Sequence, residues 1–149
     1  MLKKGMISLT ILLILLGGEA FAKSKVHDVF EEIPNELKFM LKALHDICRD
    51  QCGITEASID EIRVGQLKND KKIKKYMSCI WLQSTMMDEL GNLNIDLLHD
   101  LCPASLKDKV PKIHIDCHKK QPAKSPLEDL IFGMEDCVYK TNPEAYIMI

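Results

Sequence analysis

The residues of this sequence with the greatest capacity for chemistry are its six cysteines, at positions 48, 52, 79, 102, 117 and 137. An even number of thiols can pair as disulfides or supply ligands to a metal ion. His114 and His118 lie close to Cys117 and make a metal site worth considering. Structural zinc sites, however, usually show two closely spaced ligand pairs such as C-x2-C, and the sequence contains none. The cysteines therefore predict disulfides, with no metal and no other cofactor.

The first 22 residues predict a secretory signal peptide. Lys3 and Lys4 form a short basic start, residues 7–16 are almost continuously apolar, and Ala20 and Ala22 occupy the small-residue positions of a cleavage site. The apolar run is about half of the ~20 residues that a membrane anchor needs. The predicted product is exported and soluble. In an oxidising compartment its cysteines most simply form three disulfides, although about 15 pairings are possible.

Length and composition predict one globular domain after the signal peptide, over residues 23–149. The chain has 149 residues, of which 46% are hydrophobic, and it contains only 7 Gly and 6 Pro. This composition excludes collagen-like and disordered classes. The net charge of −2 gives no basic patch for nucleic acid, so no nucleic-acid partner is expected.

The ionisable and nucleophilic residues predict no catalytic site. His45 and His99 each begin an HDxC segment, which is similar to the end of the CCxxHDxC motif of secreted phospholipases A2. The cysteines that this motif requires before the histidine are absent from both segments. Ser105 and Ser125 lie in no recognisable nucleophile turn. We therefore expect a protein that is not an enzyme, with a secreted hydrolase as the weaker alternative.

Hydrophobic periodicity predicts helices along the whole mature chain and no convincing strand. Glycines, prolines and capping residues separate the apolar stripes. At the last helix, Ser125, Pro126 and Glu128 have the pattern of a capping box. The predicted fold class is an all-α compact bundle of about six short helices, stapled by disulfides. The predicted helices cover residues 34–48, 55–63, 70–90, 94–101, 105–119 and 125–141.

The chain ends in an apolar segment, Tyr146 to Ile149. Leaving such a segment in water is unfavourable by about 25 cal/mol per Å² of apolar area, so we expect it to fold back onto the domain. Two interpretations remain open. The segment either covers the hydrophobic core or occupies a cavity.

Short motifs spread over the mature chain have a characteristic order. They are LHDxC ending at Cys48, KYMxC ending at Cys79, a second LHD at residues 98–100 before a proline, Cys117 twenty residues before Cys137, and TNPEAY at residues 141–146. Taken together, they resemble the insect odorant-binding proteins of the pheromone-binding and general odorant-binding type. The resemblance covers almost the whole mature chain.

The cysteine pattern departs from that family at two positions. The family has a cysteine four positions before its third cysteine and another nine positions before its sixth, where this sequence has Lys75 and Glu128. The family pairs its first cysteine with the third and its fourth with the sixth. The resemblance therefore implies Cys48–Cys79 and Cys117–Cys137 bridges, with one family bridge missing as in the C-minus branch. It also suggests that Lys75 and Glu128 are neighbours able to form a salt bridge.

Cys52 and Cys102 match no cysteine of the family. Since the number of cysteines is even and the compartment oxidising, we expect an additional Cys52–Cys102 bridge. The alternative is two free thiols, with one or both buried as small apolar side chains.

The resemblance also implies an internal apolar cavity, surrounded by the helices and closed by the C-terminal segment, for a small hydrophobic ligand. Ser84, Thr85, Tyr76 and Tyr139 are candidates for orienting the ligand, because such sites combine apolar walls with few polar groups. The expected ligand-binding residues are Ile80, Trp81, Ser84, Met87, Ile95, Leu98, Val110, Ile113, Met134, Val138, Tyr146 and Ile147.

The expected function is that of a secreted carrier in extracellular fluid, a monomer or weak homodimer, that binds an odorant, pheromone or lipid-like molecule and releases it near an olfactory receptor or membrane. One alternative is a non-olfactory carrier of a hormone, pheromone or nutrient with the same fold. Another is a secreted protein that binds a partner through methionine and aromatic side chains. Histidines in the predicted helices further suggest pH-linked release, with ordinary surface positions as the competing interpretation.

Overall fold

Residues 32–149, the part of the chain that this computed structural model describes, fold into six α-helices and one short 3-10 helix. The all-α class is confirmed, while the predicted signal peptide lies outside the described residues. Among the helices described, none is long and apolar enough to cross a membrane. The helices are α1 Asn35–Cys52, α2 Glu56–Arg63, α3 Lys71–Gln83, α4 Ile95–Leu101, α5 Val110–Lys119 and α6 Leu127–Thr141, followed by the 3-10 helix Pro143–Ala145.

Local sequence signals account for several helix ends. Helix α1 ends where Gly53 adopts a left-handed conformation with φ of 58°, four residues after the predicted end. Glycine adopts this conformation without a steric penalty from Cβ. The side chain of Thr55 accepts a hydrogen bond from the backbone N–H of Ser58 and begins α2. Asp70 does the same for two N–H groups at the start of α3.

Two predicted helices are longer than the observed ones. Helix α3 ends at Gln83, about seven residues before the predicted end, because the chain turns at Thr85 with φ of 59° and then forms an isolated bridge from Met87 to Leu93. Helix α5 begins at Val110 rather than residue 105. Pro111 lies in its first turn, where a missing N–H removes no helical hydrogen bond. The proline therefore starts this helix instead of bending it.

The capping box predicted for α6 is not formed. The residue at the N-cap is Pro126, and no side chain makes a cap hydrogen bond. Glu128 and Asp129 nevertheless lie in the first turn, where negative charge interacts favourably with the helix dipole. The start of the helix was thus predicted within two residues, but through the wrong interaction.

Helix α6 is the centre of the packing, since it lies against both α3 and α5, while α1 packs on α3. Its buried face presents Ile131, Met134 and Val138 to fully buried residues of α3 such as Tyr76 and Met77. Each large apolar side chain removed from water contributes about 1.5–3 kcal/mol, so this three-helix contact supplies much of the stability of the domain.

Two disulfides reinforce the same packing. Cys48 of α1 is bonded to Cys79 of α3, and Cys117 of α5 is bonded to Cys137 of α6. These are the pairs that the resemblance implies. Bridges closing loops of this length stabilise a domain by about 2–4 kcal/mol each in the chain-entropy account.

The prediction of a Cys52–Cys102 bridge is wrong, because both thiols are free. Their surroundings differ. Cys52 is half-buried, and burial raises the pKa of its thiol. The charge of Lys75 acts to lower this pKa, and that of Glu128 acts to raise it. Cys102 is buried at the end of α4, and burial raises its pKa to about 11. Its thiol is therefore protonated at neutral pH and serves as a small apolar side chain.

A salt bridge joins α3 to α6 close to the positions of the missing family disulfide. It is formed by the residues next to Lys75 and Glu128 in the sequence. Within residues 32–149 Lys75 makes no ion pair with Glu128. Instead Lys74 Nζ lies 2.6 Å from Asp129 Oδ1 and 5.4 Å from the centroid of the Phe132 ring. Such a partly exposed pair contributes up to ~1 kcal/mol, which is less than a disulfide would.

Gly65, just after α2, should tolerate no side chain. It has φ of 76°, and a Cβ atom there would lie 2.1 Å from carbons of the Tyr139 ring. We expect Gly65→Ala to lower the free energy of unfolding by about 2–4 kcal/mol, from the left-handed conformation and the overpacked ring. Urea unfolding followed by circular dichroism measures this loss.

Gly53→Ala is the matched control, because Gly53 has a similar φ of 58° but open space around the Cβ position. We expect it to cost only about 1 kcal/mol, from backbone strain alone. Equal losses at the two glycines would show that the contact with Tyr139 is unimportant.

Candidate functional site

An apolar cavity of about 80 Å³ lies at one end of the bundle. Its walls come from five parts of the chain: residue 33 with the first half of α1, the end of α3 with the residues that follow it, the end of α4 with the residues that follow it, the start of α5, and the C-terminal segment. The lining residues are Ile33, Leu37, Leu41, Leu44, Ile80, Trp81, Ser84, Met86, Leu98, Leu101, Cys102, Pro103, Val110, His114, Ala145, Ile147, Met148 and Ile149.

The cavity brings together half of the residues expected to bind a ligand. Those on its wall are Ile80, Trp81, Ser84, Leu98, Val110 and Ile147. The others belong to the hydrophobic core: Met87, Met134, Val138 and Tyr146 are buried in it, and Ile95 and Ile113 are partly buried against it. The reason is geometric. Each helix turns several apolar side chains inward, but the cavity occupies only one end of the bundle.

Helix α1 and His114 were missed as parts of the wall. Leu37, Leu41 and Leu44 of α1 face the cavity, whereas Met40 of the same helix is 64% exposed. Leu37, Leu41 and Leu44 are four and three residues apart, and this spacing carried the signal, because it places them on one face of a helix. No sequence signal distinguished His114 from the other histidines.

The C-terminal segment is held against the bundle by its own polar atoms. Tyr146 donates a hydrogen bond from its hydroxyl to the carbonyl of Ile62, at 2.9 Å, and its ring meets that of Tyr139 edge to face at 5.4 Å. Met148 is buried, and the last three residues line the cavity. The segment therefore covers the core with Tyr146 and fills space at the cavity with residues 147–149.

A second anchor of the segment is the hydroxyl of Tyr76 in α3. It donates a hydrogen bond to the carbonyl oxygen of Ile149 and lies 2.8 Å from Nδ1 of His45. The other ring nitrogen of His45 lies 3.1 Å from Glu56 Oε2. A chain of hydrogen bonds thus connects the C-terminal segment to α3, α1 and α2. Burial raises the pKa of Tyr76, so its hydroxyl remains a donor at neutral pH.

His114 is, with Ser84, one of the polar residues on the cavity wall, and it is paired with Glu135 of α6. Its Nδ1 lies 2.9 Å from the carbonyl oxygen of Val110, which can only accept, so Nδ1 carries a proton. Its Nε2 lies 3.4 Å from Glu135 Oε1, and both residues are buried. Burial acts to lower the pKa of His114, but the hydrogen bond and charge of Glu135 outweigh it and raise the pKa. Glu135 therefore favours the protonated form of His114.

This pair should make the stability of the protein depend on pH. The pKa of His114 is raised in the folded state. The stabilisation that its protonated form gives to the fold is therefore fully present below 6.5, the ordinary pKa of histidine, and is lost as the pH rises through the pKa of the folded state. We expect the urea midpoint to fall as the pH rises above 6.5. The isosteric variant Glu135→Gln removes the charge and should flatten this part of the profile. An equal fall in both proteins would contradict the assignment.

The remaining helical histidines differ in their contacts. His99 is half exposed beside Asp100, while His118 lies 2.7 Å from the carbonyl oxygen of Gly91 through Nε2. Within residues 32–149 no group of histidine, cysteine and acidic side chains is arranged to hold a metal ion. The hypothesis of pH-linked release stays a prediction.

Comparison with known proteins identifies the family. A model of the PBP/GOBP family matches residues 31–141. Two Tenebrio molitor proteins, the B2 protein and the B1 protein, are each 24% identical over 106 residues, which is 66% of this chain and 77% and 75% of theirs. Among solved structures, Apis mellifera odorant binding protein 5 is similar with a TM-score of 0.65 at 19% identity, covering 77% of this chain and 96% of that one. The family match spans all six α-helices, and the chain is therefore a member of the PBP/GOBP family.

Proposed function

We propose that this protein is a secreted carrier of small hydrophobic molecules. The observation that carries the proposal is the apolar cavity whose wall includes the chain's own C-terminal segment. Membership of a family of small-ligand binding proteins supports the same conclusion. The ligand class is an odorant, pheromone or lipid-like molecule, transported through extracellular fluid. The protein's role is binding rather than catalysis.

Burial of apolar surface supplies the affinity in this proposal. Most of the wall consists of leucine, isoleucine, methionine and valine side chains, and Ser84 and His114 are its polar residues. The cavity volume of about 80 Å³ is well below the ~300–1,000 Å³ typical of ligand pockets. A ligand longer than a few carbon atoms therefore enters by displacing residues 147–149, which fill part of the available space.

Secretion follows from the proposed signal peptide at residues 1–22, which leaves residues 23–149 as the mature domain. The two disulfides of the structure favour an oxidising compartment. We further propose that the carrier acts as a monomer or weak homodimer and releases its ligand near an olfactory receptor or a membrane.

Binding of N-phenyl-1-naphthylamine, a probe whose fluorescence increases in apolar surroundings, tests the proposal. We expect one probe per oxidised chain, displaced by alkyl esters in competition. A variant lacking residues 147–149 but retaining Tyr146 should bind the probe several-fold more tightly, because the ligand no longer has to displace these residues. If both folded proteins fail to bind the probe, the carrier function is refuted.

A further inference from the structure

The turn that ends α3 contains a strained residue. Thr85 has φ of 59°, and within residues 32–149 it is the one non-glycine residue with a positive φ. A β-branched side chain is disfavoured in this left-handed conformation, because its Cβ crowds the backbone. Such strain persists only where surrounding contacts maintain it, and it is often found at functional sites. The two neighbours of Thr85 in the sequence, Ser84 and Met86, both line the cavity.

This turn directs Met86 into the cavity wall. The other wall residues from α3 and its end are Ile80, Trp81 and Ser84. A regular helix rotates by about 100° per residue, so in a continued α3 the side chain of Met86 would lie about 120–160° around the axis from these three. It would then point away from the cavity. Met87 would keep its inward direction, because it follows Ile80 by about two full turns of the helix.

Hydrogen bonds outside α3 maintain the turn. The backbone N–H of Asn94 donates to the carbonyl of Met86 at 2.8 Å. The carboxylate of Asp88 accepts from the backbone N–H and from the side-chain amide of Asn92, both at 2.8 Å. The bonds to Asp88 are exposed to water, where a hydrogen bond contributes little net stability. A few bonds therefore maintain the turn against the strain at Thr85.

The segment that makes the turn is also suited to a helix. Residues 84–90 include methionine, glutamate and leucine, which have high helix propensity, and they contain no glycine or proline. In a helix Thr85 would have a negative φ and no strain. The turn and a longer α3 are thus two alternative forms of one segment, and only the turn places Met86 in the wall. A ligand too large for the cavity of about 80 Å³ gains space from the longer helix.

We propose that Thr85 determines the size of ligand that the cavity accepts, because its turn keeps Met86 in the wall for small ligands and an extension of α3 removes Met86 for large ones. The inference rests on the proposed carrier function and adds a second movable part of the wall to residues 147–149. Strain that is present only in the turn lowers the free-energy cost of extending the helix. Thr85 itself is exposed and does not line the cavity, so it acts through the position of Met86.

Two probes of different size test the inference in Thr85→Gly, since glycine adopts the left-handed turn without strain. Chloroform is a small apolar probe that quenches tryptophan fluorescence, so Trp81 on the wall reports its binding. N-phenyl-1-naphthylamine is the large probe. We expect Thr85→Gly to bind the large probe about tenfold more weakly than the wild type, as the loss of strain implies, and chloroform within about twofold. Equal weakening for both probes would show general damage to the cavity and overturn the inference.

Thr85→Ala is the matched control, because alanine retains the Cβ that strains the turn and favours a helix more than threonine does. It should bind the large probe at least as tightly as the wild type, and weaker binding that equals that of Thr85→Gly would contradict the inference.

Hydrogen exchange in the wild type tests the same movement without any variant. Binding of the large probe should accelerate exchange of the Asn94 amide, because its bond to Met86 is lost when α3 extends. Unchanged exchange at Asn94, or equal affinity of wild type and Thr85→Gly for the large probe, would overturn the inference and leave the carrier function intact. Failure of the wild type to bind either probe would instead refute the carrier function.

Discussion

Replacing Glu135 by alanine should lower the free energy of unfolding by about 3–5 kcal/mol, which is the usual effect of removing one partner from a buried ion pair. Both residues of the pair are almost completely buried, and the protonated form of His114 would have no counterion. The substitution also removes side-chain volume from the face of α6 that packs against the bundle. Urea unfolding at a pH below 6.5, where the raised pKa of His114 favours its protonated form, measures the loss.

Asp136→Ala is the matched control on the same helix. Asp136 makes an ion pair with Lys140, whose side chain is 71% exposed. Because such a pair contributes less than about 1 kcal/mol, the variant should unfold almost like the wild type. If Glu135→Ala were no more destabilising than Asp136→Ala, the buried pair would have no structural importance.

Replacing Tyr146 by alanine should cost a similar amount, about 3–5 kcal/mol, since it leaves a large aromatic cavity in the core. The ring is 4% exposed and packs edge to face with Tyr139, and the hydroxyl bonds to Ile62. This residue is the main anchor of the C-terminal segment, so residues 147–149 should also lose their position at the cavity. Chemical unfolding gives the energy, and amide hydrogen exchange of the last residues gives the loss of order.

Tyr146→Phe separates packing from hydrogen bonding. It retains the ring and leaves only the carbonyl of Ile62 without its donor, so we expect a loss of about 1 kcal/mol. Hydrogen exchange in the last residues should then be nearly unchanged. A loss as large as that of the alanine variant would show that the hydroxyl, rather than the ring, holds the segment.

The helices could be predicted because each depends on local patterns. Apolar spacing marked their inward faces, and residues such as Gly53, Thr55 and Asp70 marked their ends. The errors arose where tertiary structure decides. The turn at Thr85 is a conformation that a threonine seldom adopts, and it is made together with the bridge from Met87 to Leu93.

The candidate site was less predictable, for a physical reason. An inward apolar face is the same pattern whether it lines a cavity or packs in a core, so Val110 and Met134 looked alike, although only Val110 is on the wall. The thiol of Cys102 illustrates a related limit. An even number of cysteines suggests pairing, but a bridge needs two residues in compatible surroundings, and Cys102 belongs to the cavity.

Trp81 offers the most direct measurement of whether the cavity binds a ligand. It is the single tryptophan of the chain and lies on the cavity wall, so its fluorescence reports on this site without a label. We predict that hexan-1-ol shifts its emission with saturation at one ligand per chain, while circular dichroism shows the fold unchanged. Emission that stays constant, or that changes linearly without saturation in the folded protein, would contradict the central claim that the cavity is a ligand-binding site.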